Sequence, residues 1–242
     1  MSSLITLKGV RFINSVLSLR PALAVFDCDG TLWAGDTGEG FFDWELKNHI
    51  VSDEVARWAR PRYTDYKAGK VDEDTMCGEM VTMHRGLPEK ELLAASAKFF
   101  EESFVKQIFP EMRELVRQLK KIRCDVWVVS STNEWVIRSS MKHFEVPEDH
   151  ILAAAVEIDN GVITDRLIRV PSGDGKPKAI QDVVGKTPDV AFGNSRWDAD
   201  MLQIARYPFV VNPFPELEKT AQEQRWTIYW PDGTHPAQRK PS

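Results

Sequence analysis

"AVFDCDGTLWAGD", residues 24–36, starts as an apolar strand and ends by placing two carboxylates one residue apart. Asp27 and Asp29 follow the apolar run, and Gly30 then frees the chain to turn. Two carboxylates held ~4 Å apart repel by roughly 4 kcal/mol at an effective dielectric of about 20. A bound divalent cation removes that cost, and oxygen-only ligands suit magnesium. Alternatively one carboxyl keeps its proton and serves as an acid. A pair of ordinary turn aspartates is the plainer reading.

Other short apolar runs lie far along the chain: "DVWVVS" (125–130), "DVAFG" (189–193) and "PFVVN" (208–212). Near-continuous apolar runs fit parallel strands covered on both faces. Helical stretches at 110–122 and 133–144 alternate with them, which predicts an α/β domain around a parallel sheet. Asn160-Gly161, inside 151–168, is a type I′ hairpin signal. Residues 37–108 differ: they offer no strand, Ser52 can cap a helix, and Pro88 suits the first turn of another. This reads as a helical insertion (37–108) within an α/β core (21–36 and 109–242), preceded by a short amphipathic extension (1–20).

The net charge of −5 leaves no basic surplus for a nucleic-acid partner. Three cysteines without metal-ligand spacing favour a reducing compartment, and the five histidines form no zinc pattern. No apolar run approaches the ~20 residues of a membrane span, and the first twenty residues are interrupted by Lys8, Arg11 and Asn14. A cytoplasmic protein without a membrane partner is expected; oligomeric state is not legible.

Ligands in open α/β sheets bind beyond the carboxyl ends of the strands. Asp27 and Asp29, Ser130, and Gly193-Asn194 with Asp198 stand at those ends. Ser130 also reads as a helix cap and Asp198 as a first-turn acid. Cys28, between the acids, points into the core by alternation. The tryptophans at 33, 44 and 58 suit the core of the insertion, with Trp33 best placed to line a substrate pocket.

"DCDGT" after an apolar strand resembles the first motif of phosphatases in the haloacid dehalogenase superfamily. Ser130 in "VWVVSST", Lys176 in "GDGKPKAI" and "GNSRWDADM" resemble the second, third and fourth, in the same order across residues 21–212. The helical insertion resembles the cap of the phosphoserine phosphatase-like branch. The resemblance implies a Rossmann-like core and a magnesium-dependent phosphomonoesterase. It implies Asp27 as nucleophile, Asp29 as acid/base, Ser130 and Lys176 as phosphoryl-binding groups, and Asp27, Asp29, Asn194 and Asp198 around the metal. Lys178 is the neighbouring alternative to Lys176. Ser131, Trp33 and Asp36 are the expected substrate contacts, Asp36 holding an amine.

Two departures matter. Asn194 stands where relatives carry an aspartate, so it brings no charge to a metal; a phosphometabolite-binding protein without turnover is the alternative. Met80 stands where phosphoserine phosphatases place an arginine for the substrate carboxylate, which points to an amine-bearing ester lacking that group. Arg62 and Arg85 are the possible substitutes. A dehalogenase or a phosphotransferase would use the same core, though Asp29 argues against the former.

Overall fold

In the computed structural model, which describes residues 5–234, the run Leu23–Phe26 forms β1 with every residue buried. Alternation sends Ala24 and Phe26 to one face of the sheet and Leu23 and Val25 to the other. Parallel partners flank it on both sides: β2 (Asp125–Asn133) and β5 (Val190–Gly193). With β3 (Ile151–Asp159), β4 (Val162–Arg169), β6 (Tyr207–Val211) and β7 (Thr227–Tyr229), the sheet order is β4-β3-β2-β1-β5-β6-β7. Only β3 and β4 pair antiparallel, joined at Asn160 (φ 51°) and Gly161 (φ 78°), the expected hairpin. The chain runs outward from β1 to β4, returns to β5, and runs outward the other way. The tip of β1 is therefore the switch point at which a crevice opens.

One sheet face is covered by α1 (Leu7–Ser18), α6 (Pro110–Lys121) and α7 (Glu134–Met141). The other is covered by α8 (Gly175–Val183), α9 (Ala199–Ile204) and α10 (Pro215–Gln224). Phe26 stacks on Phe192 of β5 at 4.2 Å, and burying such a ring contributes about 1.5–3 kcal/mol. The amphipathic extension is part of this core: Phe12, Ile13 and Val16 of α1 are buried in the cluster that α6 shares. Phe12 also stacks on Tyr229 at 3.8 Å, so the C-terminal "RWTIYWPDG" stretch supplies the edge strand β7.

Between β1 and β2 the chain is helical: α2 (Thr37–Lys47), α3 (Asp53–Lys67), α4 (Glu73–Thr82) and α5 (Glu89–Ser103). Asp36, Ser52 and Asp72 cap the first three through their side chains, while Pro88 occupies the cap position of α5 without such a bond. Helices α2, α3 and α4 share an apolar cluster of their own, including Phe42, Leu46, Ala59, Met76 and Met80. A second cluster, with Phe41, Leu92 and Phe99, seats them on Trp135 of α7 and on β3. Trp44 packs against that second cluster. Trp58 does not: it is 40% exposed on α3, a correction to its reading as core. Among the described residues no helix is long and apolar enough to cross a membrane.

Candidate active site

Asp27 follows β1 directly and keeps the ladder going, its N–H donating to the Phe192 carbonyl at 2.8 Å. The residue is 6% exposed at the sheet's carboxyl edge. The Thr31 hydroxyl donates to Oδ2 at 2.8 Å, across a turn in which Gly30 takes φ 74°. Lys176 Nζ donates to Oδ1 at 2.8 Å. The same ammonium reaches Asp198 Oδ1 at 2.5 Å and the Val129 carbonyl at 3.2 Å. Lys176 therefore bridges two strand tips from the first turn of α8, while Lys178 is exposed.

Asp198 lies in a 3-10 turn (Arg196–Asp198) after β5, and its Oδ2 accepts from the N–H groups of Asn194 and Ser195, both at 2.9 Å. The approach is close enough that a Cβ on Gly193 would lie 2.5 Å from Asp198 Cβ. Both oxygens of Asp198 are thus committed, so its observed work is to hold Lys176 and shape this loop.

The charges set the electrostatics. Burial first, and the Asp198 carboxylate second, push the Asp27 carboxyl up to about 7, against the pull of Lys176 and Thr31. Burial works to lower the Lys176 pKa, but Asp198 and Asp27 outweigh it and the ammonium stays charged. Asp29 is also raised by burial, opposed by its hydrogen bonds. Those bonds come from Trp33 Nε1 (2.8 Å) and the Thr37 N–H (2.6 Å) to Oδ1, and from the Thr132 hydroxyl (2.7 Å) to Oδ2.

Ser130 is 2% exposed within β2, where the register against β3 shifts between Val129 and Asn133. The strand runs on to Asn133 rather than stopping at Ser130. Ser130 is not the helix cap: its Oγ accepts from the Thr132 N–H at 3.2 Å, and Asn133 caps α7.

A cleft of about 400 Å³ opens beside this cluster. Asp36 and Ser131 line it, with Glu39, Tyr63, Tyr66 and Glu73. Trp33 does not; it is wholly buried, its ring edge-on to Phe100, and its indole N–H is spent on Asp29. This corrects its reading as a pocket residue: Trp33 holds the Asp29 carboxylate from the core side. Cys28 is buried in the core as alternation predicts. Met80 also lines the cleft, while Arg62 forks onto Glu79 (2.7 and 2.8 Å) and Arg85 pairs with Asp165 (2.7 Å). Neither arginine lines the cleft.

Several site residues escape sequence reading. Thr31 could have been found as the polar neighbour of "DCDG"; Thr132, Tyr66 and Glu73 reach the site only through tertiary packing. Among the described residues no three His, Cys, Asp or Glu side chains form a ready metal cage. The carboxyl ends of the paired strands β1 and β5 carry two buried oxygen-bearing side chains, Asp27 and Asn194. Such a sparse oxygen set fits magnesium, whose shell is completed by water and substrate phosphate.

Comparison with known proteins agrees with this geometry. The family of haloacid dehalogenase-like hydrolases matches residues 24–203. A histidinol-phosphatase of Neisseria meningitidis serogroup C (strain 8013) is 26% identical over 217 residues, 85% of this chain and 97% of the relative. A protein of unknown function from Bordetella pertussis Tohama I superposes with TM-score 0.75 at 22% identity, over 86% of this chain and 97% of that one. A substrate-bound phosphoserine phosphatase superposes at 0.56 with 18% identity, over 86% and 92%. The chain belongs to the haloacid dehalogenase-like hydrolase family.

Proposed function

We propose that this phosphatase hydrolyses a small, amine-bearing phosphomonoester through a phosphoryl group carried on Asp27. The observation that carries the reading is the buried Asp27–Lys176–Asp198 bridge at the tip of β1, with Asp29 one residue beyond. Asp27 Oδ attacks phosphorus, the ester P–O bond breaks, and Asp29 gives its proton to the departing alkoxide. Water then attacks the acyl phosphate, Asp29 takes the water's proton, and Asp27 leaves with its electron pair as inorganic phosphate departs. A raised Asp29 pKa suits that alternation of acid and base. Ser130 and Lys176 donate to the phosphoryl oxygens. Asp27, the main-chain carbonyl of Asp29 and the Asn194 amide would hold magnesium, which when bound adds positive charge against the transferring group.

The helices of residues 37–108 serve as a cap over the strand tips, excluding bulk water around the acyl phosphate. Asp36, fixed by the Glu39 N–H at 2.9 Å, takes the substrate amine. Met80 and the engaged arginines offer no clamp for a carboxylate, which disfavours phosphoserine. Histidinol phosphate, the substrate named by the Neisseria relative, carries an amine and no carboxylate, and so falls in this class.

Hydrolysis of p-nitrophenyl phosphate with and without magnesium is the test. The wild type should turn over only with the metal, and Asp27→Asn should not turn over at all. Activity retained by Asp27→Asn removes the nucleophile assignment. The neutral Asn194 favours a second reading, a binding protein without turnover. That reading predicts thermal stabilisation by phosphate while the wild type stays inert at high magnesium.

A further inference from the structure

Glu73 is the first residue of α4 and is 8% exposed, yet it lines the cleft. The Tyr66 hydroxyl donates to its Oε2, and Ser131 Oγ stands 3.4 Å from its Oε1. Its third neighbour is the Cys77 thiol, at 3.8 Å. All of these are neutral groups. The α3 cations beside the two tyrosines are spent elsewhere: Arg62 on Glu79, and Lys67 on Glu39 at 3.3 Å. Among the described residues no lysine, arginine or histidine pairs with Glu73. A carboxylate taken from water with only neutral partners is costly, and a cation brought by a ligand relieves the cost.

Three further observations say what kind of cation. Tyr63 and Tyr66 line the same wall with rings 5.6 Å apart; Phe42 stacks on Tyr63 at 4.7 Å and Lys67 Nζ lies 6.0 Å over it, which leaves the Tyr66 ring as the surface that favours a ligand's positive group. Asp36, at the head of α2, is a separate acid held by its own donor, so the cleft offers two anchoring points from two helices. Ser131 adjoins the phosphoryl-binding Ser130, which puts Glu73 within reach of a head group whose phosphate sits at Asp27.

We infer that Glu73, positioned by Tyr66 and Ser131, is a specificity-determining residue that takes a second basic nitrogen of the substrate, the first belonging to Asp36. The substrate class is then a small phosphomonoester with two basic nitrogens and no carboxylate. This rests on the phosphatase reading above and narrows it. Burial, and then the charge of Glu73, raise the Tyr66 hydroxyl, so it remains a donor that fixes the carboxylate.

The test is kcat/KM of the full chain with magnesium on three esters. Histidinol phosphate carries an amine and an imidazole, O-phosphoethanolamine carries one amine, and glycerol phosphate carries none. The wild type should prefer them in that order. Glu73→Gln should shrink the preference for histidinol phosphate over phosphoethanolamine by roughly 10- to 100-fold, the worth of a charge-assisted hydrogen bond. Asp36→Asn should instead reduce the preference of both amines over glycerol phosphate. Glu73→Asp should restore part of the lost ratio, and Tyr66→Phe should move it in the same direction as Glu73→Gln. Equal loss on all three esters in Glu73→Gln and Tyr66→Phe would overturn the inference, as would a wild type indifferent to the second nitrogen. Either leaves the phosphatase reading standing; failure of every ester, p-nitrophenyl phosphate included, removes that reading first.

Discussion

Asp27 carries a conflict that can be read as stability. In an unfolded chain its carboxyl titrates near 3.8, whereas the native site raises it to about 7. Between those values the native state holds a proton that the unfolded chain has released. The stability due to this group is therefore fully present below about pH 4 and is lost as pH rises through 7. The loss is on the order of a few kcal/mol. In magnesium-free buffer at pH 8, Asp27→Asn should melt above the wild type, and the gap should close towards pH 4. A variant less stable than the wild type at pH 8 would contradict this sign. Both acids of "DCDG" were legible as a pair because no core strand gains from ending in two repelling charges. Their separate environments were not legible. Whether Asp29 meets Trp33, Thr37 and Thr132 depends on where the turn and β2 fall in space.

At the scale of elements, the strand tips are spaced by backbone approach as much as by side chains. Gly193 closes β5 beneath Asp198, and a methyl group there collides with Asp198 Cβ and Cγ at 2.5 and 2.8 Å. Gly193→Ala should displace Asp198, release one partner of Lys176, and lower kcat by an order of magnitude or more. The stability cost should be about 1–3 kcal/mol, as for overpacking. Unchanged kcat in a folded Gly193→Ala protein would mean that Asp198 does not position Lys176. Within the insertion, Glu45 of α2 and His84, just after α4, meet at 2.7 Å with both side chains buried. His84 also stands edge-on to Trp135 of α7. Glu45→Ala strips the imidazole Nε2 of its partner and should cost about 1–3 kcal/mol in urea denaturation. A neutral result would show that the helices of the insertion are held by their apolar clusters alone. Neither contact is visible in one dimension, since a lone glycine and a lone histidine carry no periodicity.

For the whole molecule, the parallel sheet was legible because its strands are short, apolar and separated by helical stretches. The hairpin was legible because Asn160-Gly161 permits positive φ twice in succession. The role of α1 was not. An amphipathic segment at a chain end looks the same whether it floats or packs, and here Phe12 stacks on Tyr229 more than two hundred residues away. The reach of β2 past Ser130 was equally hidden, because Ser131 and Thr132 are too polar to extend an apolar run. The candidate site was legible where several strand tips bring polar side chains to one rim. It was obscure where the insertion supplies the pocket, since Tyr63, Tyr66 and Glu73 gather only through helix packing.

The account rests on phosphorus passing through residue 27. Full-length protein mixed with magnesium and a phosphomonoester, quenched in acid during turnover and reduced with borohydride, reports this directly. An acyl phosphate at that position becomes homoserine, and peptide mass spectrometry should locate the change at Asp27 and nowhere else. Steady release of phosphate with an unmodified Asp27 would contradict the account.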